Sequence, residues 1–120
     1  AEKYLADAEY APGTVVAFGG TAEVTLSDRD ADTRVAGVVS TNPSYIMNGG
    51  LNGDHVVAVA LTGRVPCKVQ GPVKKGDIMV SNGDGTARVE YAPNAGTIIG
   101  KALEDLDANN GTIEVVIGRF

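Results

Sequence analysis

Short apolar runs recur along the chain, each closed off by Gly, Asn, Asp or Pro. That spacing predicts strands joined by tight turns. Residues 14–18 form a strand opened by Pro12-Gly13, and Gly19-Gly20 supplies a hairpin turn. Residues 22–26 return, with Val24 and Leu26 on one face and Glu23 and Thr25 on the other. Residues 27–33 read as a charged, solvated loop and 35–40 as a third strand. Residues 41–54 make a long Asn/Gly-rich loop. Residues 55–61 are almost wholly apolar, as in a strand buried on both faces. Residues 64–70 alternate, with Val65, Cys67 and Val69 on one face. Pro66 cannot donate to a ladder, so this strand belongs at an edge or a bulge. Residues 77–81 and 86–91 form a hairpin over Asn82-Gly83-Asp84-Gly85, and residues 97–103 and 112–118 complete the set. Only residues 2–9 and 102–108 read as brief helical turns. The pattern therefore predicts one all-β domain over residues 1–120, a small barrel or sandwich of about eight short strands. Its expected core is Val24, Val38, Val57, Val59, Leu61, Val89, Ile98, Ile113 and Val115.

The strands also repeat. Gly13-Thr14-Val15-Val16 matches Gly76-Asp77-Ile78-Met79, and Thr21-Ala22-Glu23-Val24 matches Thr86-Ala87-Arg88-Val89. Val35-Ala36-Gly37 then matches Ile98-Ile99-Gly100, and Gly63-Arg64-Val65 matches Gly118-Arg119-Phe120. Either this is coincidence among Gly-Thr-Val strings, or the chain holds two four-stranded halves. Those halves would span 13–65 and 76–120, joined by residues 66–75.

Composition agrees with strands: 16 glycines, no tryptophan, and valine and isoleucine in excess of leucine. No apolar run approaches the roughly 18 residues of a membrane-spanning helix, so no membrane insertion is expected. The net charge of −5, with its basic residues scattered, repels phosphate backbones and argues against nucleic acid as a partner. A single cysteine excludes an internal disulfide and any Cys-rich zinc site.

Four groups could carry chemistry. Asp28, Asp30 and Asp32 form a D-x-D-x-D run suited to Ca²⁺, but Thr33 and Val39 stand where an EF-hand needs Gly and Glu. Arg29 and Arg34 lie close enough to neutralise them. His55 and Cys67 could pair as base and nucleophile, yet both fall in strands. Glu104, Asp105 and Asp107 form an acidic cluster of the kind that performs glycoside hydrolysis, but without an aromatic platform. Asn110-Gly111-Thr112 is a glycosylation sequon, common by chance. The residues assemble no catalytic, metal or cofactor site, and no enzyme is expected.

One resemblance spans nearly the whole chain. Ala1-Glu2-Lys3-Tyr4, Tyr10-Ala11-Pro12-Gly13-Thr14-Val15-Val16 and the run 34–43 are similar to a domain that ends many phage proteins. The likeness continues through 61–69, Lys75-Gly76-Asp77 and Gly100-Lys101-Ala102-Leu103. Such domains close bacteriophage tail-fibre and neck-appendage proteins, which are virion structural proteins. Some related appendage domains are intramolecular chaperones that cleave themselves off, but no autoproteolytic residue maps onto this chain. The resemblance implies a non-enzymatic virion module for assembly or surface attachment. It would be a homotrimer touching other virion proteins or a host surface. A looser likeness in strand pattern points to capsid-decoration proteins, and a self-cleaving processing domain is the third alternative.

The residues add one argument for self-association. Tyr45, Ile46, Met47 and Leu51 form an apolar group in a segment too rich in Asn and Gly for a core strand. A monomer exposing all four would carry a patch that soluble proteins avoid. These four residues are therefore the expected subunit interface.

Overall fold

A computed structural model describes residues 1–40 and 55–118. The expected contact residues Tyr45, Ile46, Met47 and Leu51 lie outside the described residues, as do Arg119 and Phe120. The described chain is all-β. Its strands are β1 (Glu2–Leu5), β2 (Val15–Phe18), β3 (Val24–Leu26), β4 (Val35–Val39), β5 (Val56–Ala60), β6 (Gly63–Gln70), β7 (Ile78–Ser81), β8 (Ala87–Val89), β9 (Ile98–Ala102) and β10 (Asn110–Ile117). Residues 2–5, expected as a helical turn, are a strand, because their backbone is taken up by β5 from Glu2↔Val59 to Leu5↔Val56. Residues 103–108 are likewise bends and not helix, with Leu106 bridged to Val73.

The strands make two five-stranded units. The first is a sheet ordered β1-β5-β4-β2-β3, and the second is a closed barrel ordered β10-β6-β8-β7-β9. Both are antiparallel except at one seam, where β6 runs parallel to β8 at Val69↔Ala87. The first unit has the same seam in miniature: Ala6 bridges Val24 in parallel.

The correspondence extends through the registers. Val16↔Leu26 in the first unit matches Met79↔Val89 in the second, and Val16↔Gly37 matches Met79↔Gly100. Both central pairs carry a bulge at the same step, after Val16 and after Met79. Val39↔Val59 matches Ala102↔Val115, and Glu2↔Val59 matches Val65↔Val115. Each half thus has five strands, not the expected four, because β1 and β6 join them. Residues 66–70, expected in the connection between halves, lie within β6. The expected match of Val24 with Val89 is two residues out of step: Val24 corresponds to Ala87, and Leu26 to Val89.

Gly37 and Gly100 show why the bulge keeps its glycine. A Cβ on Gly37 would sit 2.2 Å from the Ala60 carbonyl oxygen, and one on Gly100 would sit 2.0 Å from that of Val116. Ala60 and Val116 are themselves equivalent positions on β5 and β10. A side chain at either glycine would push a neighbouring backbone aside.

Two apolar cores result. The barrel interior holds Cys67, Met79, Ile99, Ile113, Val115 and Ile117 with their neighbours. The interior of the first unit holds Ala6, Val16, Val24, Val39, Val57 and Val59. Val15, Val38 and Ala60, on the other face of the first unit, pack onto the barrel core. Of the expected core, Val24, Val38, Val57, Val59, Ile113 and Val115 are buried. Leu61, Val89 and Ile98 are only half-buried. Beside Ile98 it is Ile99 that turns inward, because the bulge opposite Met79 and Val80 shifts which neighbour faces the core. Pro66 lies on a side of β6 that needs no donor: two residues on, the Lys68 N–H leaves the ladder with β10 and donates to the Gly13 carbonyl.

Candidate interaction surfaces

The acidic run is solvated at Asp28, Arg29 and Asp30, as expected, but at Ser27 and Asp32 it forms a buried joint between the two units. Asp32 is 2% exposed, and Ser27 and Ser81 are wholly buried. Ser27 directly follows β3, and Ser81 is the last residue of β7, before the turn to β8. The Asp32 carboxylate accepts from the Ser27 hydroxyl (2.9 Å), the Arg34 backbone N–H (2.9 Å) and the Arg34 guanidinium (3.1 Å). Ser27 has one proton and gives it to Asp32, so at 2.7 Å the Ser81 hydroxyl donates to Ser27. The Gly83 N–H in turn donates to Ser81 Oγ (3.1 Å). The chain of donors therefore runs one way, from the barrel into the first unit, and ends on a charge.

Backbone bonds reinforce this joint. The Val15 N–H donates to the Gly85 carbonyl (2.8 Å), the Gly85 N–H to the Ser27 carbonyl (3.1 Å), and the Ala31 N–H to the Ser81 carbonyl (2.9 Å). Asp30 crosses to the barrel and accepts two bonds from Arg88, at 2.7 and 2.9 Å. Asp28 takes the remaining reach of Arg34 at 3.3 Å. Burial pushes the Asp32 carboxyl up, but the bonds from Arg34 and Ser27 outweigh it and hold the group below its usual range. The Arg88 bond does the same for Asp30. The three aspartates thus face different partners, two of them arginines that neutralise them. Ser27 and Arg34 flank this run in the sequence; Arg88 and Ser81 come from distant segments and carry no local signal.

The other sequence candidates are dispersed. Cys67 is sealed in the barrel core, where burial pushes its thiol up to about 12, and it donates only to the Lys68 carbonyl. His55 directly precedes β5, and its carbonyl accepts the Ala6 N–H at 2.9 Å. Of the acidic cluster, Glu104 accepts the Glu114 N–H and Asp105 accepts the Lys75 N–H. These carboxylates brace turns. Among the described residues no three His, Cys, Asp or Glu side chains converge as a metal site would require.

One concave feature lies between the units, a groove of about 660 Å³. Val35, Ala36 and Leu61 form one wall, and Ile98, Ile99 and Ile117 form the other. These are equivalent positions of the two halves, so the walls match in chemistry as well as in place. None of its lining residues has an ionisable side chain. Phe18 also lines it and is 46% exposed, and elsewhere Tyr91 stands 86% exposed. The described surface therefore offers apolar contact at the groove and at these two aromatics. No family model, curated protein or solved structure matches this chain.

Proposed function

We propose that this chain is a non-enzymatic virion structural module, the terminal domain of a bacteriophage fibre or appendage protein, assembled as a homotrimer. The observation that supports this reading most is where the polar chemistry goes. The Asp32, Ser27 and Ser81 chain, with its arginines, joins the two units and spends its polar groups on one another. The groove between the described units is lined mostly by apolar side chains and suits contact with another chain. The segments that carry the phage resemblance fall largely on this scaffold: residues 10–16 lead into β2, residues 61–69 into β6, and residues 100–103 end β9. The partners of such a module are its own copies and other virion proteins or a host surface.

Light scattering on the purified chain at tens of micromolar tests the assembly. A mass of three chains is expected, and a single-chain mass overturns it. The open reading frame around this segment tests the fibre context. A much longer chain ahead of it is expected, whereas a frame of about this length favours a capsid-decoration protein.

A further inference from the structure

No strand is shared between the two units. The first unit uses β1 to β5 and the barrel uses β6 to β10. The described chain crosses from one to the other once, through Leu61 and Thr62. Gly63 follows with a φ of +80°, in the left-handed region. Its surroundings set no limit on size: a Cβ there would meet nothing within 4 Å, and Thr62, Gly63 and Arg64 are all exposed. Only the backbone conformation therefore calls for glycine here. This conformation turns the chain at the end of β5 and lays the first unit back on the barrel. With an extended residue at position 63, β5 and β6 would run on as one strand over residues 56–70 and carry the two units apart.

The joint is indifferent to which chain supplies each side. Ser27 meets Ser81, and Asp30 meets Arg88. The Val15 N–H donates to the Gly85 carbonyl, and the Lys68 N–H to the Gly13 carbonyl. In every one of these pairs one residue precedes Leu61 and the other follows Thr62. A second copy offers the same groups in the same places, so two opened chains that exchange first units regain every contact of the joint.

We propose that Gly63 is the hinge that keeps each chain closed on itself, and that a residue unable to take its left-handed backbone makes two copies exchange their first units. The partner is a second copy of this chain, held through the contacts of the internal joint and not through a new surface. Valine at position 63 drives the exchange on two counts: a β-branched residue is excluded from positive φ, and it suits a continuous strand. Asparagine tolerates the left-handed region and keeps the chain closed. The hinge stands apart from the homotrimer reading, because it decides which chain completes each joint and not how many copies associate.

A disulfide across the joint reads the exchange. Asp30 and Asn82 face each other in an antiparallel bridge between the units, a spacing within a disulfide's reach. Asp30→Cys with Asn82→Cys is therefore built into every chain tested. Cys67 is wholly buried and stays out of the link when the protein is refolded reduced and oxidised afterwards. On a denaturing, non-reducing gel a closed chain runs as one chain and an exchanged pair as two, whatever assembles without covalent bonds. Refolded at about 1 mM, near the effective concentration of a short tether, the chain with Gly63 and the Gly63→Asn variant are expected as one chain and Gly63→Val as two. Refolding Gly63→Val at about 1 μM is expected to return it to one chain. Gly63→Ala, with the same expected pattern, takes its place if Gly63→Val does not fold. A one-chain band from that variant at the higher concentration, or a two-chain band from the Gly63 or Gly63→Asn protein, overturns the hinge.

Discussion

The first unit and the barrel share one pairing scheme and differ in how fully they carry it out. In the barrel, β6 and β10 run together for eight residues, from Asn110↔Gln70 to Ile117↔Gly63. In the first unit the equivalent pair, β1 and β5, runs for four. The barrel's interior positions hold Met79, Ile99 and Ile113 where the first unit holds Val16, Ala36 and Val57. The first unit compensates from its other face, where Val15, Val38 and Ala60 pack onto the barrel. Longer ladders and larger side chains make the barrel the anchor. The first unit stands by burying both its faces, one against its own small core and one against its neighbour.

The largest effect is expected from a charge placed inside either core. Val115→Asp and Val59→Asp each bury an unpaired carboxylate at a fully enclosed position, which costs about 4 kcal/mol. Both chains should be insoluble, and soluble, cooperatively melting protein from either contradicts its placement. The bulge glycines probe the equivalence of the halves. Gly37→Ala and Gly100→Ala each force a backbone carbonyl to move and should cost about 3 kcal/mol. Thermal melts that show one substitution severe and the other neutral would break the correspondence.

Core truncation separates the halves again. Met79→Ala removes a larger enclosed side chain than its counterpart Val16→Ala, and should cost about 3 kcal/mol in urea melts; Val16→Ala should cost less. A larger loss from Val16→Ala would reverse the ranking of the two cores. At the joint, Ser81→Ala strands the Gly83 N–H and should cost about 2 kcal/mol.

The smallest effect is the pH dependence. Asp30 and Asp32 are held below their ordinary value of 3.8, so their contribution to stability is present above that pH and is lost as the pH falls through their folded values. Acid melts should therefore show stability falling below about pH 4, and Asp32→Asn should flatten part of that fall. An unchanged acid profile in Asp32→Asn would remove the charge from the joint's account.

Strands were legible where apolar and polar residues alternate or where valines run together: β2, β4, β5, β6 and β10 stand within a residue or two of their expected bounds. The sequence also carried the repeat at Gly13 with Gly76 and at Gly37 with Gly100, because glycine at a turn or bulge is a backbone requirement and survives where side chains drift. It misplaced the middle match because Thr-Ala-x-Val is common in strands and fixes no register. It lost β1 because Glu2-Lys3-Tyr4-Leu5 has no strand pattern of its own, and only pairing with β5 makes it one. The joint was illegible for a related reason. Asp32 looks solvated among Asp28, Arg29 and Asp30, and only the distant arrival of Ser81 shows that this one carboxylate is covered.

The barrel's role as anchor is tested most directly by native-state hydrogen exchange across the two equivalent ladders. The account predicts that the amides bonded between β6 and β10 exchange only through global unfolding, while those between β1 and β5 exchange earlier through local opening. Amides of β1 and β5 that are as slow as those of β6 and β10, or slower, would contradict it.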